Sequence, residues 1–334
     1  MNRTQRIAAF AGLGDVIKNL GPAEWEGIHL GAVNDNAWFT PDSVTSALSS
    51  LSDWLTQESL TNWTQEYDES SKQRRVAIVM AGNIPLVGFH DMLAVLISGH
   101  SAVVKLSSKD QFLPKWIVSR LTGIEPEFAS RITFVEKLRD FDAVIATGSD
   151  NSARYFDYYF GKYPNIIRRN RTSVAVLTGG ESTDEYERLG SDVFMYFGLG
   201  CRNVSKLFVP EGYSFESLFD SWNRFAPVIN HHKYANNYDY QKSILLINRN
   251  DFLDTGFVLA QESDKIVSPI SVLYYETYGT EDDLKARLTT DAEKIQVVVG
   301  NHSGVADVPF GAAQHPQLTD YADRVDVMSF LAEL

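Results

Sequence analysis

The 334-residue chain contains one thiol, Cys201, in the stretch YFGLGCRNVSKLFVP, with Gly198 and Gly200 before it and Arg202 after it. A thiolate is a strong nucleophile that can form a covalent intermediate, although an unperturbed cysteine ionises only near about pH 8.5 and needs help from its surroundings. A lone cysteine is also a good small hydrophobe, and its neighbours in sequence leave both roles open. Chemistry would otherwise collect at four turns: AGNIPLVG with Asn83, KLSSKD with Lys105, Ser107 and Ser108, ATGSD with Thr147, Gly148 and Ser149, and TGGE with Gly179 and Gly180. Each offers glycine or a small hydroxyl residue, which ligand-binding turns use and which ordinary turns also need for backbone geometry. Neither GxGxxG nor GxxxxGK[ST] occurs, so neither familiar phosphate loop applies. His231 and His232 are adjacent and point apart on most backbones, and no ligand triad of the usual spacing accompanies them, which disfavours a hydrolytic metal centre.

The elements that must position these residues follow from hydrophobic periodicity. VAIVM (76–80), AVVKL (102–106), RITFV (131–135), DAVIAT (142–147) and SVAVL (173–177) are short apolar, β-branched runs, each expected to be a buried strand. Between them GFHDMLAVLISG (88–99), FLPKWIVSRLTG (112–123) and SARYFDYYFGKY (152–163) have helical spacing. The alternation predicts an α/β fold with a doubly wound, largely parallel sheet, whose ligands sit at the carboxyl ends of the strands, where these turns fall. Ahead of it the chain reads as helices ending in an exposed polar loop, QEYDESSKQRR (65–75). After Gly180 a second α/β lobe is expected: a helix, the Cys201 segment, the strand KLFVP, an aromatic, Asn-rich loop HHKYANNYDY (231–240), and strands SILLIN, SVLYYE and IQVVVG.

Composition agrees with two lobes, because a single core stops growing at roughly 250–300 residues. The apolar content of 44% is globular, and no apolar run approaches the about 20 residues that span a bilayer. The start, MNRTQRIAAFAGLGDVIKNLG, has no long apolar core with a small-residue cleavage site and reads as a helix. With a single cysteine and no internal disulfide, a reducing cytoplasm is expected. The net charge of -13 argues against a nucleic-acid partner. An anionic ligand would need local positive charge, for which IIRRNR (166–171) and KLSSKD (105–110) are the sources, unless both are simply solvated surface.

Taken together, these motifs carry a resemblance. AGNIPLVGFHDMLAVLISGHSAVVKLSSKDQFLP resembles the Asn-Phe-Pro turn, helix and Lys-ended strand of the aldehyde dehydrogenase superfamily, and ATGS, LTGGE and GLGCRNVSKLFVP resemble its later Gly-Ser, Leu-Gly-Gly and cysteine motifs in the same order. The short length, the GCRNVSKLFVP motif and the ending QHPQLTDYADRVDVMSFL are most similar to bacterial acyl-CoA reductases of the luminescence type (LuxC-like), continuously from about Val76 onward.

The resemblance implies an aldehyde-dehydrogenase-like fold: N-terminal helices and a Rossmann-like cofactor domain over 1–179, a catalytic cysteine domain over 180–310, and a segment 311–334 packing back on the cofactor domain or an interface. It makes Cys201 the nucleophile, with Gly198 and Gly200 leaving room for a substrate carbonyl and a cofactor ring, Arg202 supplying positive charge, and the Asn83 amide holding the oxyanion. Lys105 would hold the adenosine ribose hydroxyl or phosphate, beside Ser107. Ser108 stands where NAD-specific relatives carry a Glu, which favours NADPH over NADH. Thr147, Gly148 and Ser149 would meet the diphosphate and nicotinamide, with Gly179 and Gly180 beneath the ring and Gly200 and Tyr238 at the substrate. Leu177 occupies the place of the water-activating Glu, so a thioester would not be hydrolysed. Lys265 aligns with the Glu that holds the nicotinamide ribose, with Asp264 a possible substitute. The implied reaction is NADPH-dependent reduction of an acyl thioester, a fatty acyl-CoA above all, to an aldehyde. The implied partners are an acyl-CoA or acyl-carrier substrate, an acyl-activating synthetase and further copies of the chain. Reduction of an acyl phosphate or other short activated acid on the same fold, and a non-catalytic scaffold, are the alternatives.

Overall fold

A computed structural model describes residues 1–69 and 72–334; Ser70 and Ser71, in the polar stretch expected as an exposed loop, lie outside the described residues. The chain forms two compact units, Met1–Asn170 with Gln317–Leu334, and Arg171–Pro316. The divide falls at Asn170 and Arg171, earlier in the chain than Gly179.

Unit 1 opens with helices α1 (Arg3–Lys18), α2 (Pro22–Asp35), α3 (Pro41–Trp54) and α4 (Gln57–Thr64). Local chemistry starts them. Asn2 and Gln5 form a reciprocal capping box on α1, both bonds 2.9 Å, and Thr40 and Thr56 cap α3 and α4. Strand and helix then alternate: β1 (Arg75–Val79), α5 (Phe89–Ile97), β2 (Ser101–Lys105), α6 (Phe112–Ile124), β3 (Ile132–Phe134), β4 (Ala143–Thr147), α7 (Asp150–Phe160) and β5 (Asn165–Arg168). The sheet is wholly parallel in the order β3-β2-β1-β4-β5. Alternate residues feed its two faces: Val76, Ile78, Ala102, Val104, Ala143 and Ile145 join the large core with the helices, while Ala77, Val144 and Ala146 meet Phe156 and Phe160 of α7.

Unit 2 contains β6 (Thr172–Val176), α8 (Thr183–Phe194), β7 (Val204–Pro210), α9 (Glu216–Trp222), α10 (His232–Asn248), β8 (Leu253–Asp254), β9 (Leu259–Glu262), β10 (Val272–Tyr278), α11 (Glu281–Thr290) and β11 (Ile295–Val299). Its sheet runs β11-β6-β7-β10-β9-β8, parallel except for the antiparallel β8–β9 edge. The final helix, α12 (Val327–Ala332), returns to unit 1, where Val327, Met328 and Leu331 enter the large core.

Three expectations are corrected. SVAVL is β6 and pairs with β7 and β11 in unit 2; the fifth strand of the first sheet is β5, which overlaps the start of the basic run 166–171. HHKYANNYDY and SILLIN are one helix, α10, with Tyr234, Tyr238 and Leu245 on its buried face and Leu246 and Ile247 exposed. That spacing is helical, and a short apolar run at a helix end has the same pattern as a strand. Among the described residues no helix is long and apolar enough to cross a membrane.

Candidate active site

In unit 1 the chain winds away from β1 in one direction and from β4 in the other, so the crevice at the carboxyl ends of β1 and β4 is the switch point of a doubly wound sheet. Three of the expected turns meet there. Lys105 ends β2, exposed, with half-buried Ser107 and exposed Ser108 following. Asn83, exposed, follows β1, and Thr147, Gly148 and Ser149 follow β4. Gly82 lets the β1 turn lie directly on the β2 turn: a Cβ there would stand 2.6 Å from Ser107 Oγ and 2.7 Å from Ser107 Cβ. Gly148 does the same against α7, where a Cβ would stand 2.8 Å from Phe156 Cε2 and from Ser152 Cβ. Ser149 Oγ accepts from the Ser152 N–H at 3.3 Å and caps α7.

A carboxyl that the motif reading passed over ties two of these turns together. Asp110, 3% exposed, accepts the Leu86 N–H on Oδ2 at 2.8 Å, while its Oδ1 has no hydrogen-bond partner. Burial, partly offset by the Leu86 bond and reinforced by Asp35, pushes this carboxyl up to about 7. Asp35 in turn accepts the N–H groups of Gln111 (2.7 Å) and Phe112 (2.5 Å) at the start of α6.

In unit 2, α8 ends at Phe194 and the chain turns through Phe197 (φ 57°), Gly198 (φ 81°) and Gly200 (φ 102°) before Cys201 and β7. A left-handed backbone costs a residue like Phe197 roughly 1–2 kcal/mol, so the surrounding fold holds this loop in place. Hydrogen bonds from Leu199 N–H to the Tyr196 carbonyl (2.9 Å) and from Asn203 N–H to the Gly200 carbonyl (3.3 Å) close it. The half-buried Cys201 is anchored through its carbonyl, which accepts from Ser173 Oγ at 3.1 Å. Arg202 Nη1 donates to the Ala313 carbonyl at 3.4 Å. Beneath Gly198 lies a cavity of about 20 Å³, lined by Phe197, Asn203, Tyr234, Ser268 and Ser271 among others. Asn203 Oδ1 is buried there without a partner, and burial pushes the Tyr234 phenol up.

Two expected groups lie elsewhere. Ser173 and Leu177 are at opposite ends of β6, about 13 Å apart at the rise of a parallel strand; Cys201 adjoins Ser173, whereas Gly179 and Gly180 follow Leu177. The Thr-Gly-Gly turn is therefore not beside the thiol. Leu177 is a core residue whose N–H donates to the Phe208 carbonyl, not a substitute for a general base. In that turn Glu181 accepts from the N–H groups of Thr178 (2.6 Å) and Gly179 (3.0 Å). Tyr238 is also structural: its hydroxyl donates to Asp254 Oδ1 at 2.5 Å, and the ring packs with Leu245, Leu259, Val272 and Tyr274. It is Tyr234, one helical turn earlier, that reaches the cavity, by i, i+4 spacing that only the helix reveals. Asp264 and Lys265 are exposed after β9, where the Asp264 carbonyl accepts from Arg287 at 2.5 Å. His231 and His232 stack at 5.2 Å, and among the described residues no group of three or more His, Cys, Asp or Glu could hold a metal ion.

The sequence model of the acyl-CoA reductase (LuxC) family matches residues 33–215, more than half of the chain, including Asn83, Lys105 and Cys201. The chain belongs to the acyl-CoA reductase (LuxC) family. Similar solved structures are aldehyde dehydrogenases. Aldehyde dehydrogenase 21 of Physcomitrella patens, solved with its product succinate, superposes with a TM-score of 0.71 at 12% identity over 100% of this chain and 84% of its own. The indole-3-acetaldehyde dehydrogenase of P. syringae, a mutant in complex with NAD+ and IAA, gives 0.68 at 14% identity over 93% and 76%. An NAD+ complex of aldehyde dehydrogenase from Bacillus cereus gives 0.64 at 14% identity over 93% and 76%. These superpositions establish the aldehyde-dehydrogenase fold for this member of the LuxC family. No curated protein matches it. Family and fold together make it an oxidoreductase of the aldehyde-dehydrogenase type.

Proposed function

We propose that this LuxC-family protein reduces an acyl thioester, a fatty acyl-CoA in the first instance, to an aldehyde through a thioester on Cys201, with NADPH as reductant. The observation that carries the reading is the thiol itself. The only sulfur nucleophile in the chain is half-buried in a strained, glycine-flanked loop, within the residues that the family shares.

In this reading Cys201 Sγ, as thiolate, attacks the acyl carbon. The carbon–sulfur bond to the carrier breaks, and the carrier leaves as a thiol after taking up a proton. Arg202, one residue on, adds positive charge to the loop and favours the thiolate. Asn83 is assigned the oxyanion amide on the motif resemblance alone. Residues 171–173 and 196–206, which form and flank the thiol's loop within unit 2, contain no Asp or Glu. In this reading no carboxylate from these segments activates water, and the acyl enzyme waits for a reductant or a thiol.

The unit 1 turns suit a dinucleotide. They line the switch point of a parallel sheet, and at Gly148 a Cβ would fill the space beneath the turn. Lys105, Ser107 and Ser108 would hold the adenosine ribose with its 2'-phosphate, and Thr147, Gly148 and Ser149 the diphosphate. Bound there, the cofactor supplies the hydride that reduces the enzyme thioester.

The test is intact-protein mass spectrometry after incubation with a long-chain acyl-CoA and no cofactor. One acyl group per chain is expected, removed by hydroxylamine at neutral pH and cleared as aldehyde by NADPH, with steady free-acid release far slower than reduction. Cys201→Ser should form no adduct and lose reduction while still binding NADPH. Full activity in Cys201→Ser would overturn the mechanism. An adduct from acyl phosphates but not from acyl-CoA would reassign the substrate.

A further inference from the structure

One buried backbone stretch touches both sides of the Cys201 loop. Asp192 lies in α8, the helix that leads into the loop, and is fully buried. Its Oδ2 accepts the Gly311 N–H at 2.6 Å, its Oδ1 accepts the Ala313 N–H at 3.0 Å, and its own carbonyl accepts from Gln314 Nε2 at 3.3 Å. The Ala313 carbonyl, on the same stretch, receives Arg202 from the far side of the thiol at 3.4 Å. Phe310 and Ala313 are buried with it, and Gly311 (φ 87°) lies so close to α8 that a Cβ would meet Arg188 Cβ at 3.0 Å.

A carboxylate this deep loses its hydration, and the backbone N–H groups of Gly311, Ala313 and Gln314 restore only part of it. Its carboxyl is accordingly raised to about 6. An asparagine would keep one acceptor oxygen for these N–H groups, and an apolar residue none. What the carboxylate secures is position: it fixes residues 311–313 against α8, and those residues fix Arg202.

We propose that Asp192 is a positioning residue for Cys201, acting through a clasp formed by the 311–313 backbone, which sets the loop that carries the thiol and the placement of the adjacent guanidinium. The proposal rests on Cys201 being the nucleophile.

Two variants open the clasp from opposite sides without touching the thiol, Asp192→Asn and Gly311→Ala. For each, the rate of iodoacetamide labelling of the sole thiol, the rate of acylation by acyl-CoA without cofactor, kcat and KM, and the melting temperature would be measured. Acylation rate and turnover per acylatable chain should fall by on the order of tenfold or more in both, with KM within about twofold, since small misplacement of a reacting group costs rate more than binding. Labelling should fall as well, and Asp192→Ala should fall further than Asp192→Asn, which keeps one acceptor. If both variants lower the melting temperature but keep wild-type labelling and wild-type turnover per acylatable chain, the contact is structural only and the proposal is overturned. If Asp192→Asn does not fold, Gly311→Ala decides alone. If the wild type forms no acyl adduct while the variants still change labelling, the proposed function falls and the clasp on the thiol stands.

Discussion

Asp110 and Ser108 stand two residues apart and make opposite demands on charge. Asp110 is buried with its carboxyl raised to about 7, well above the about 3.9 of an unfolded chain. The native state therefore binds the proton more tightly. The stability this group contributes is complete below about pH 4 and is lost as pH rises through about 7, a change on the order of 4 kcal/mol at most. Asp110→Asn should gain melting temperature relative to wild type as pH is raised from 5.5 to 8, measured in matched buffers; a constant difference would mean that the carboxyl does not titrate there. Ser108, exposed and uncharged, leaves room for a 2'-phosphate. Ser108→Glu should weaken NADPH without weakening NADH, because like charges at close range cost on the order of a few kcal/mol in a partly desolvated site. An unchanged ratio of kcat/KM for the two cofactors would displace the ribose from this turn. Residue type and motif order single out Cys201, Asn83, Lys105 and Gly148 as candidates. Asp110 and Asp192 could not, because an aspartate in a polar turn or an amphipathic helix is normally solvated and only the fold buries it.

The element that departs most from expectation is α10. Its aromatic, Asn-rich start and β-branched end read as loop and strand, while the i, i+4, i+11 spacing that buries Tyr234, Tyr238 and Leu245 is spread across both. Removing the Tyr238 hydroxyl should cost stability, since Asp254 then loses one of its partners, and should leave catalysis alone. Tyr238→Phe is expected to destabilise by about 1 kcal/mol with KM for acyl-CoA unchanged; a raised KM would return this residue to the substrate pocket. Four of the five strands of the first sheet are legible as short apolar runs, the pattern of parallel strands buried on both faces, whereas β5 lies hidden at the start of a basic run. The Thr-Gly-Gly turn was misplaced for a different reason. A motif fixes local geometry, but which end of a strand faces the thiol depends on pairing between β6 and β7, and that is tertiary.

At the scale of the molecule, alternating strands and helices made two α/β lobes readable from sequence. The sheet that β6 joins, and the return of α12 to unit 1, were settled by packing. That return is firmly held. The Arg74 N–H donates to His100 Nδ1 at 3.1 Å, so Nε2 carries the proton and donates to the Leu331 carbonyl at 2.9 Å, while Trp63 donates to the Tyr321 hydroxyl at 2.7 Å. Leu331 is fully buried. Leu331→Ala should cost about 3 kcal/mol, and hydrogen exchange should show lost protection across β1, β2 and β4 with β6, β7 and β10 little changed. Equal loss in both sheets would mean that the two units unfold as one.

The same return sets an order on synthesis. A ribosome delivers residues 1–170 first, with α5 already carrying the apolar surface that α12 will cover. That surface stays open until 146 further residues, Arg171–Pro316, have been made. At translation rates of roughly 5–20 residues per second this is an interval of about 7–30 s. Unit 2, continuous in sequence, can complete its core while unit 1 still waits for its last helix. The nascent chain therefore carries an exposed hydrophobic seam for close to half of its synthesis, a surface that a chaperone would find and that other nascent copies could join.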